Sequence, residues 1–305
     1  MMKLEGIYAP IPTPFEAGSE EISTARLAEN MRKWAKSSLT GFVVCGSNGE
    51  LPFIELDERV LVTKTVKDVL NESHSDKKIV VGTFMNSTKQ TIECCKRVAD
   101  AGADAGLLLP PHYFKGGGMP GAIKFFEAVA NASPIPVVLY NMPGNTGVSL
   151  DTETILHLAP HPNIIGVKDT SGDMTQMAYL CGAQTENFSV FCGSGNYFLP
   201  SLALGASGGT LAVSNLYPEA CRKLLNLYLE NKMQEARALQ YRILLASDAL
   251  TRKFGVPGLK VAMDRIGMYG GPSRAPLLPL SDEKRQKLFE TLDEANLDNF
   301  ETWRI

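Results

Sequence analysis

The chain has 305 residues, 44% hydrophobic and 21% charged, a composition that excludes intrinsic disorder. Its formal net charge of −3 and the lack of any Lys/Arg block argue against a nucleic-acid or anionic-membrane partner. No apolar run approaches the roughly 18 residues of a membrane span, and residues 1–6 lack the apolar stretch of a signal peptide, which points to the cytosol.

In chain order, short apolar, β-branched runs at residues 6–13, 41–45, 79–83, 105–109, 136–140, 164–168, 189–192 and 209–212 read as strands. Longer stretches with helical spacing lie between them, as at 24–35, 57–70, 88–101 and 122–132. Ser87 and Asp151 stand where N-caps belong, and Gly102 and Gly205 where helices should stop. Eight strand–helix repeats within about 215 residues predict an α/β fold, a (β/α)8 TIM barrel over residues 1–215. The near-continuous apolar strands suit a parallel sheet covered on its outer face. A doubly wound sheet is the rival, but no Gly-x-Gly-x-x-Gly turn follows the first strand. From 216 to 305 the strands cease. Leu224, Leu225, Tyr228 and Leu229, then Ala236, Leu239, Ile243 and Leu244, form helical stripes. They predict a C-terminal helical extension packed on the barrel, capping its bottom or building a subunit interface.

The six cysteines include no Cys-x-x-Cys pair, and the four histidines form no His-Glu-x-x-His pattern. Buried free thiols and no metal or other cofactor are expected. Cys45 has no histidine partner placed by sequence and reads as a buried apolar residue. His112 reads as a packing or surface residue. Lys260 lies in the extension, away from any strand end, and reads as structural.

In such a barrel, chemistry belongs to the carboxyl ends of the strands. After the second strand, Gly46-Ser47-Asn48-Gly49-Glu50 combines two glycines with hydroxyl and amide donors and could hold an anion; it could equally be an ordinary glycine-rich turn. Tyr140 closes the fifth strand, where a phenol could relay protons or simply pack at the core edge. Lys168 closes the sixth. Desolvating an ammonium costs free energy, and the neutral amine is the nucleophile that imine chemistry requires. Against that stands a lysine that snorkels to water or pairs with Asp169. After the fourth strand, Pro110-Pro111-His112-Tyr113-Phe114 supplies a second phenol, more simply read as loop packing.

Taken in order, these pieces resemble the N-acetylneuraminate lyase and dihydrodipicolinate synthase superfamily of class I, lysine-dependent aldolases. Three motifs carry the resemblance: Gly46-Ser47-Asn48-Gly49-Glu50, Tyr140-Asn141-Met142-Pro143 and Gly166-Val167-Lys168-Asp169. Within it the chain looks most like 4-hydroxy-2-oxoglutarate aldolases, which share the Ser-Asn variant and segments like those at 251–260 and 269–277. The resemblance implies Lys168 as the Schiff-base nucleophile and Tyr140 as proton shuttle. Ser47 and Tyr113 would extend the relay, Tyr113 by reaching into a neighbouring subunit. Ser47, Asn48 and Gly49 would hold the substrate carboxylate, with Thr170 and Gly193 lining the pocket. It also implies a homotetramer, a dimer of dimers. True dihydrodipicolinate synthases carry an arginine where this chain has Asn145, which would face the distal end of the substrate.

The expected activity is therefore cleavage of a 4-hydroxy-2-oxo acid to pyruvate and an aldehyde. Alternatives are a 2-keto-3-deoxy sugar-acid aldolase, a dihydrodipicolinate (4-hydroxy-tetrahydrodipicolinate) synthase, an imine-forming dehydratase or decarboxylase, and a non-catalytic 2-oxo-acid-binding sensor.

Overall fold

The computed structural model describes residues 2–301. Eight parallel strands close into a barrel in chain order: β1 (Gly6–Pro10), β2 (Gly41–Val44), β3 (Lys78–Gly82), β4 (Ala105–Leu108), β5 (Val137–Asn141), β6 (Ile164–Asp169), β7 (Ser189–Cys192) and β8 (Gly208–Thr210). Every strand falls on one of the apolar runs. The first is shorter than its run because Pro12 brings no N–H to a ladder. Helices cover the outer face, so the strands are buried on both sides. Both predicted caps form: the Ser87 hydroxyl accepts from the Gln90 N–H at 3.2 Å, and the Asp151 carboxylate from the Thr154 N–H at 2.7 Å.

The extension consists of helices Pro218–Leu229, Met233–Asp248, Gly255–Arg265 and Asp282–Ala295, with a π-helical turn at Ala249–Lys253. It builds no core of its own. Leu239, Ile243, Met263 and Leu288 join Ile7, Phe42 and Val81 of the barrel in one continuous apolar cluster. Nor is it confined to the barrel bottom: Leu250, Arg252 and Val256 line the cavity at the carboxyl ends of the strands. That placement corrects the expectation of a bottom cap. Helical periodicity identifies the buried stripe of a helix but not which end of a barrel the stripe meets.

Candidate active site

Strand pairing decides which residues of β6 face inward. Val137 of β5 pairs with Ile164, but Val138 pairs with Gly166, so Ile165 is an extra residue in β6. Without it Tyr140 would stand opposite Val167; with it, Tyr140 stands opposite Lys168. Side chains alternate between faces, so one inserted residue moves the lysine to the tyrosine's face. Glycine is required at position 166, because a Cβ there would collide with the Ser189 carbonyl oxygen and lie 3.1 Å from Leu4 Cδ1.

Lys168 is 5% exposed and stands on an apolar floor that includes Val43, Val80, Leu107, Val138 and Phe191. Its Nζ lies 3.9 Å from the centroid of the Tyr140 ring. Asp169 points the other way. Its carboxylate accepts from Asn141 Nδ2 (2.8 Å), Gln176 Nε2 (3.0 Å), and the N–H (2.9 Å) and Oγ (2.5 Å) of Ser171. The alternative pairing of Lys168 with Asp169 is thus not made, since consecutive residues of a strand face opposite sides.

The Tyr140 phenol is 3.3 Å from Ser47 Oγ. Burial alone would raise its pKa, but the Lys168 ammonium and the Ser47 hydroxyl outweigh burial and hold it below the ordinary tyrosine value. Tyr197, on the same cavity wall, has no such cation beside it, and burial pushes its phenol up. Two tyrosines driven in opposite directions separate a candidate proton carrier, Tyr140, from a neutral donor, Tyr197.

Ser47 and Asn48 line the cavity in a tight turn whose ends, Cys45 and Glu50, adopt left-handed φ of 50° and 62°. Such strain in non-glycine residues concentrates at functional sites. Among the described residues, the N–H groups of Ser47 and Asn48 donate to nothing within the chain, which leaves an anion cradle of backbone and side-chain donors. Gly49 is buried behind this turn, its carbonyl accepting from Thr13 Oγ1 at 2.8 Å, and does not line the cavity. Glu50 is fully buried against Lys260 Nζ at 2.6 Å, and Lys260 also donates to the Pro272 carbonyl at 2.7 Å. Lys260 is thus structural.

The cavity has a volume of about 890 Å³. Thr170, Gly193 and Asn145 line it as expected. A Cβ at Gly193 would strike the Thr170 side chain and come within 2.7 Å of the Asp169 carbonyl oxygen. Tyr113 does not join the site within one chain: it is 80% exposed and packs edge-to-face on Phe114. His112 packs on Phe84, and burial pushes the Cys45 thiol up to about 12, removing it as a nucleophile. Among the described residues no three His, Cys, Asp or Glu side chains gather in one place.

Asn196, Tyr197, Thr251 and Arg252 also line the cavity, and the residue reading missed them. Asn196 and Tyr197 follow Gly193-Ser194-Gly195 after β7, a glycine-rich strand end of the same kind as that after β2, so a signal for them existed. Arg252 carried none, because its place depends on how the extension folds back. Three buried polar atoms of wall residues, Thr170 Oγ1, Asn196 Oδ1 and Tyr197 Oη, have no hydrogen-bond partner.

A model of the Dihydrodipicolinate synthetase family matches residues 3–295. The chain belongs to this family. It is a pyruvate-dependent carbon–carbon lyase. Among relatives of this dihydrodipicolinate synthetase family member, a 4-hydroxy-tetrahydrodipicolinate synthase of Methanothrix thermoacetophila is 35% identical over 94% of the chain and 95% of its own length. A protein named probable 4-hydroxy-2-oxoglutarate aldolase, mitochondrial, of Emericella nidulans is 36% identical over 95% and 94%. An L-threo-3-deoxy-hexylosonate aldolase of Hypocrea jecorina is 35% identical over 95% of both. The dihydrodipicolinate synthase structure from Bacillus anthracis superposes with a TM-score of 0.91 at 27% identity, covering 96% of this chain and 99% of that one. Identity alone does not choose among these substrates. No described helix is long and apolar enough to cross a membrane.

Proposed function

We propose that the protein is a class I aldolase that cleaves a 4-hydroxy-2-oxo acid, such as 4-hydroxy-2-oxoglutarate, to pyruvate and an aldehyde. The observation that carries this choice over the synthase reading is Asn145. It lines the cavity from the short helix Pro143–Thr146, and an amide there can hydrogen-bond a hydroxyl or one carboxylate oxygen. At this position, just past the end of β5, it cannot form the charged two-point clamp by which the arginine of a synthase would hold a second substrate's carboxylate. Forgoing a hydrogen bond between charged groups costs about 1.5–3 kcal/mol.

In the proposed mechanism the substrate's C1 carboxylate rests on the N–H groups and side chains of Ser47 and Asn48. The unprotonated Lys168 amine adds to C2, the Tyr140 phenol gives its proton to the departing hydroxyl so that water leaves, and a protonated imine and the Tyr140 phenolate result. Tyr140, as phenolate, takes the proton of the C4 hydroxyl. The C3–C4 bond breaks, the aldehyde departs, and the bonding pair enters the imine to give an enamine. Tyr140 returns its proton to C3, and water hydrolyses the protonated pyruvate imine, the released proton going back to the Tyr140 phenolate and Lys168 being freed. Ser47 keeps the phenol oriented, and Thr170 supplies a hydroxyl at the cavity wall. In a homotetramer, a dimer of dimers, Tyr113 would extend the relay from a neighbouring subunit. Six buried free cysteines support a reducing, cytosolic compartment.

The test is pyruvate release from 4-hydroxy-2-oxoglutarate compared with condensation of pyruvate and aspartate semialdehyde. Borohydride in the presence of pyruvate should also leave a reduced adduct on Lys168 and none on Lys260. Faster condensation than cleavage would return the synthase reading, and an adduct elsewhere would overturn the mechanism.

A further inference from the structure

Only two side chains on the described cavity wall are basic, Lys168 at the floor and Arg252 at the mouth. No carboxylate lines the wall. Arg252 belongs to the π-helical turn Ala249–Lys253, closed by the Phe254 N–H on the Ala249 carbonyl at 3.1 Å. Single π turns inside helices recur at functional sites, and this one brings Leu250, Thr251 and Arg252, three consecutive residues, onto the cavity. The Thr251 hydroxyl is committed backwards, donating to the Ser247 carbonyl at 2.7 Å. The Arg252 guanidinium is only loosely paired, through Nε to Asp248. Its side chain is 79% exposed, and its nearest carboxylate, Asp248, lies 3.7 Å from Nε, too far for a hydrogen bond. Asp248 is meanwhile shared with Lys253 Nζ at 3.5 Å and Asn196 Nδ2 at 3.3 Å. The terminal nitrogens of Arg252 thus form a free two-point donor beside the cavity.

We propose that Arg252 determines specificity by binding a carboxylate at the distal end of the substrate, so that the preferred 2-oxo acid is a dicarboxylate. This rests on the aldolase reading above, which seats the C1 carboxylate at Ser47 and Asn48. Tyr140 meets the C4 hydroxyl, which both dicarboxylic substrates and deoxy sugar acids carry, and so does not discriminate. The charge does: a sugar acid ends in neutral hydroxyls and gains nothing ionic from a guanidinium.

The experiment compares kcat/KM for pyruvate release from 4-hydroxy-2-oxoglutarate and from a 2-keto-3-deoxy hexonate, using wild type, Arg252→Gln, Arg252→Lys and Lys253→Gln. Arg252→Gln should lower kcat/KM on the dicarboxylate about tenfold, chiefly through KM, and on the hexonate less than twofold. Arg252→Lys should recover part of that loss. Lys253→Gln, which removes a neighbouring cation absent from the cavity wall, should match wild type on both. Added salt should raise the wild-type KM for the dicarboxylate and leave that of Arg252→Gln nearly unchanged, because an exposed contact is screened. Equal losses of Arg252→Gln on both substrates, or none on either, would overturn the proposal while leaving the aldolase reading intact. Absence of both wild-type cleavage and a trapped pyruvate adduct on Lys168 would overturn the aldolase reading and this inference with it.

Discussion

Replacing Lys260 with methionine removes a cation that is 1% exposed from a carboxylate, Glu50, that is 0% exposed. Lys260 Nζ is the only partner of Glu50 Oε1 among the described residues; Oε2 keeps the Arg274 N–H at 2.9 Å. The variant also loses a cation over the Phe15 ring at 4.5 Å. Breaking a buried pair while leaving its other charge behind costs about 3–5 kcal/mol, a large share of a typical total of about 5–15 kcal/mol. In a chain of this size the melting temperature should fall on the order of 10 °C. Removing both charges in Glu50→Gln/Lys260→Met should restore at least half of the loss, since the uncompensated carboxylate is then gone. Glu50 ends the turn that carries Ser47 and Asn48, so Lys260→Met should also raise KM for the 2-oxo acid several-fold with a smaller change in kcat. Thermal melts and steady-state kinetics on Lys260→Met, Glu50→Gln and the double variant test this. A Lys260→Met protein that melts like wild type, or a double variant as unstable as the two single losses added together, would refute the reasoning.

Tyr140→Phe keeps the aromatic packing and deletes the hydroxyl; turnover should drop roughly 10²–10⁴-fold, the usual worth of a positioned acid–base group. In wild type, ultraviolet difference titration should find a phenol ionising below the ordinary tyrosine value, and Lys168→Met should move it upward, because burial is then opposed only by the neighbouring Ser47 and Thr170 hydroxyls. Gly166→Ala forces a methyl toward the Ser189 carbonyl and Leu4; about 1–3 kcal/mol of stability should go with it, seen by denaturant titration, together with the adduct yield at Lys168.

The strands were legible because a parallel barrel buries both faces of each strand, which leaves apolar, β-branched runs in the sequence. Lys168 and Tyr140 stood out because a lysine and a phenol end such runs. What orients them toward each other was not legible. The extra residue at Ile165 is set by pairing between β5 and β6, and no local pattern announces a slipped register. The Glu50–Lys260 pair and the approach of Arg252 to the cavity depend on the fold of the extension. Tyr113 read as a relay residue only through family resemblance, and within one chain it stands in solvent.

A division of labour follows from where these residues sit. Lys168 and Tyr140 are buried, matched in register and packed on an apolar floor, so most substitutions there cost stability and, on the proposed mechanism, the imine step as well. Asn145 and Arg252 project from a short helix and a π turn at the cavity mouth, and both are exposed. Surface substitutions at such positions usually change stability by no more than about 0.5 kcal/mol, yet each alters the charge that the distal half of a substrate meets. The chemistry is therefore fixed by the barrel, and the choice of substrate is left to positions that can change at little cost to the fold. On the proposed mechanism an enzyme of this kind can keep the Lys168 imine and change what it cleaves by changing the charge at the mouth of the cavity.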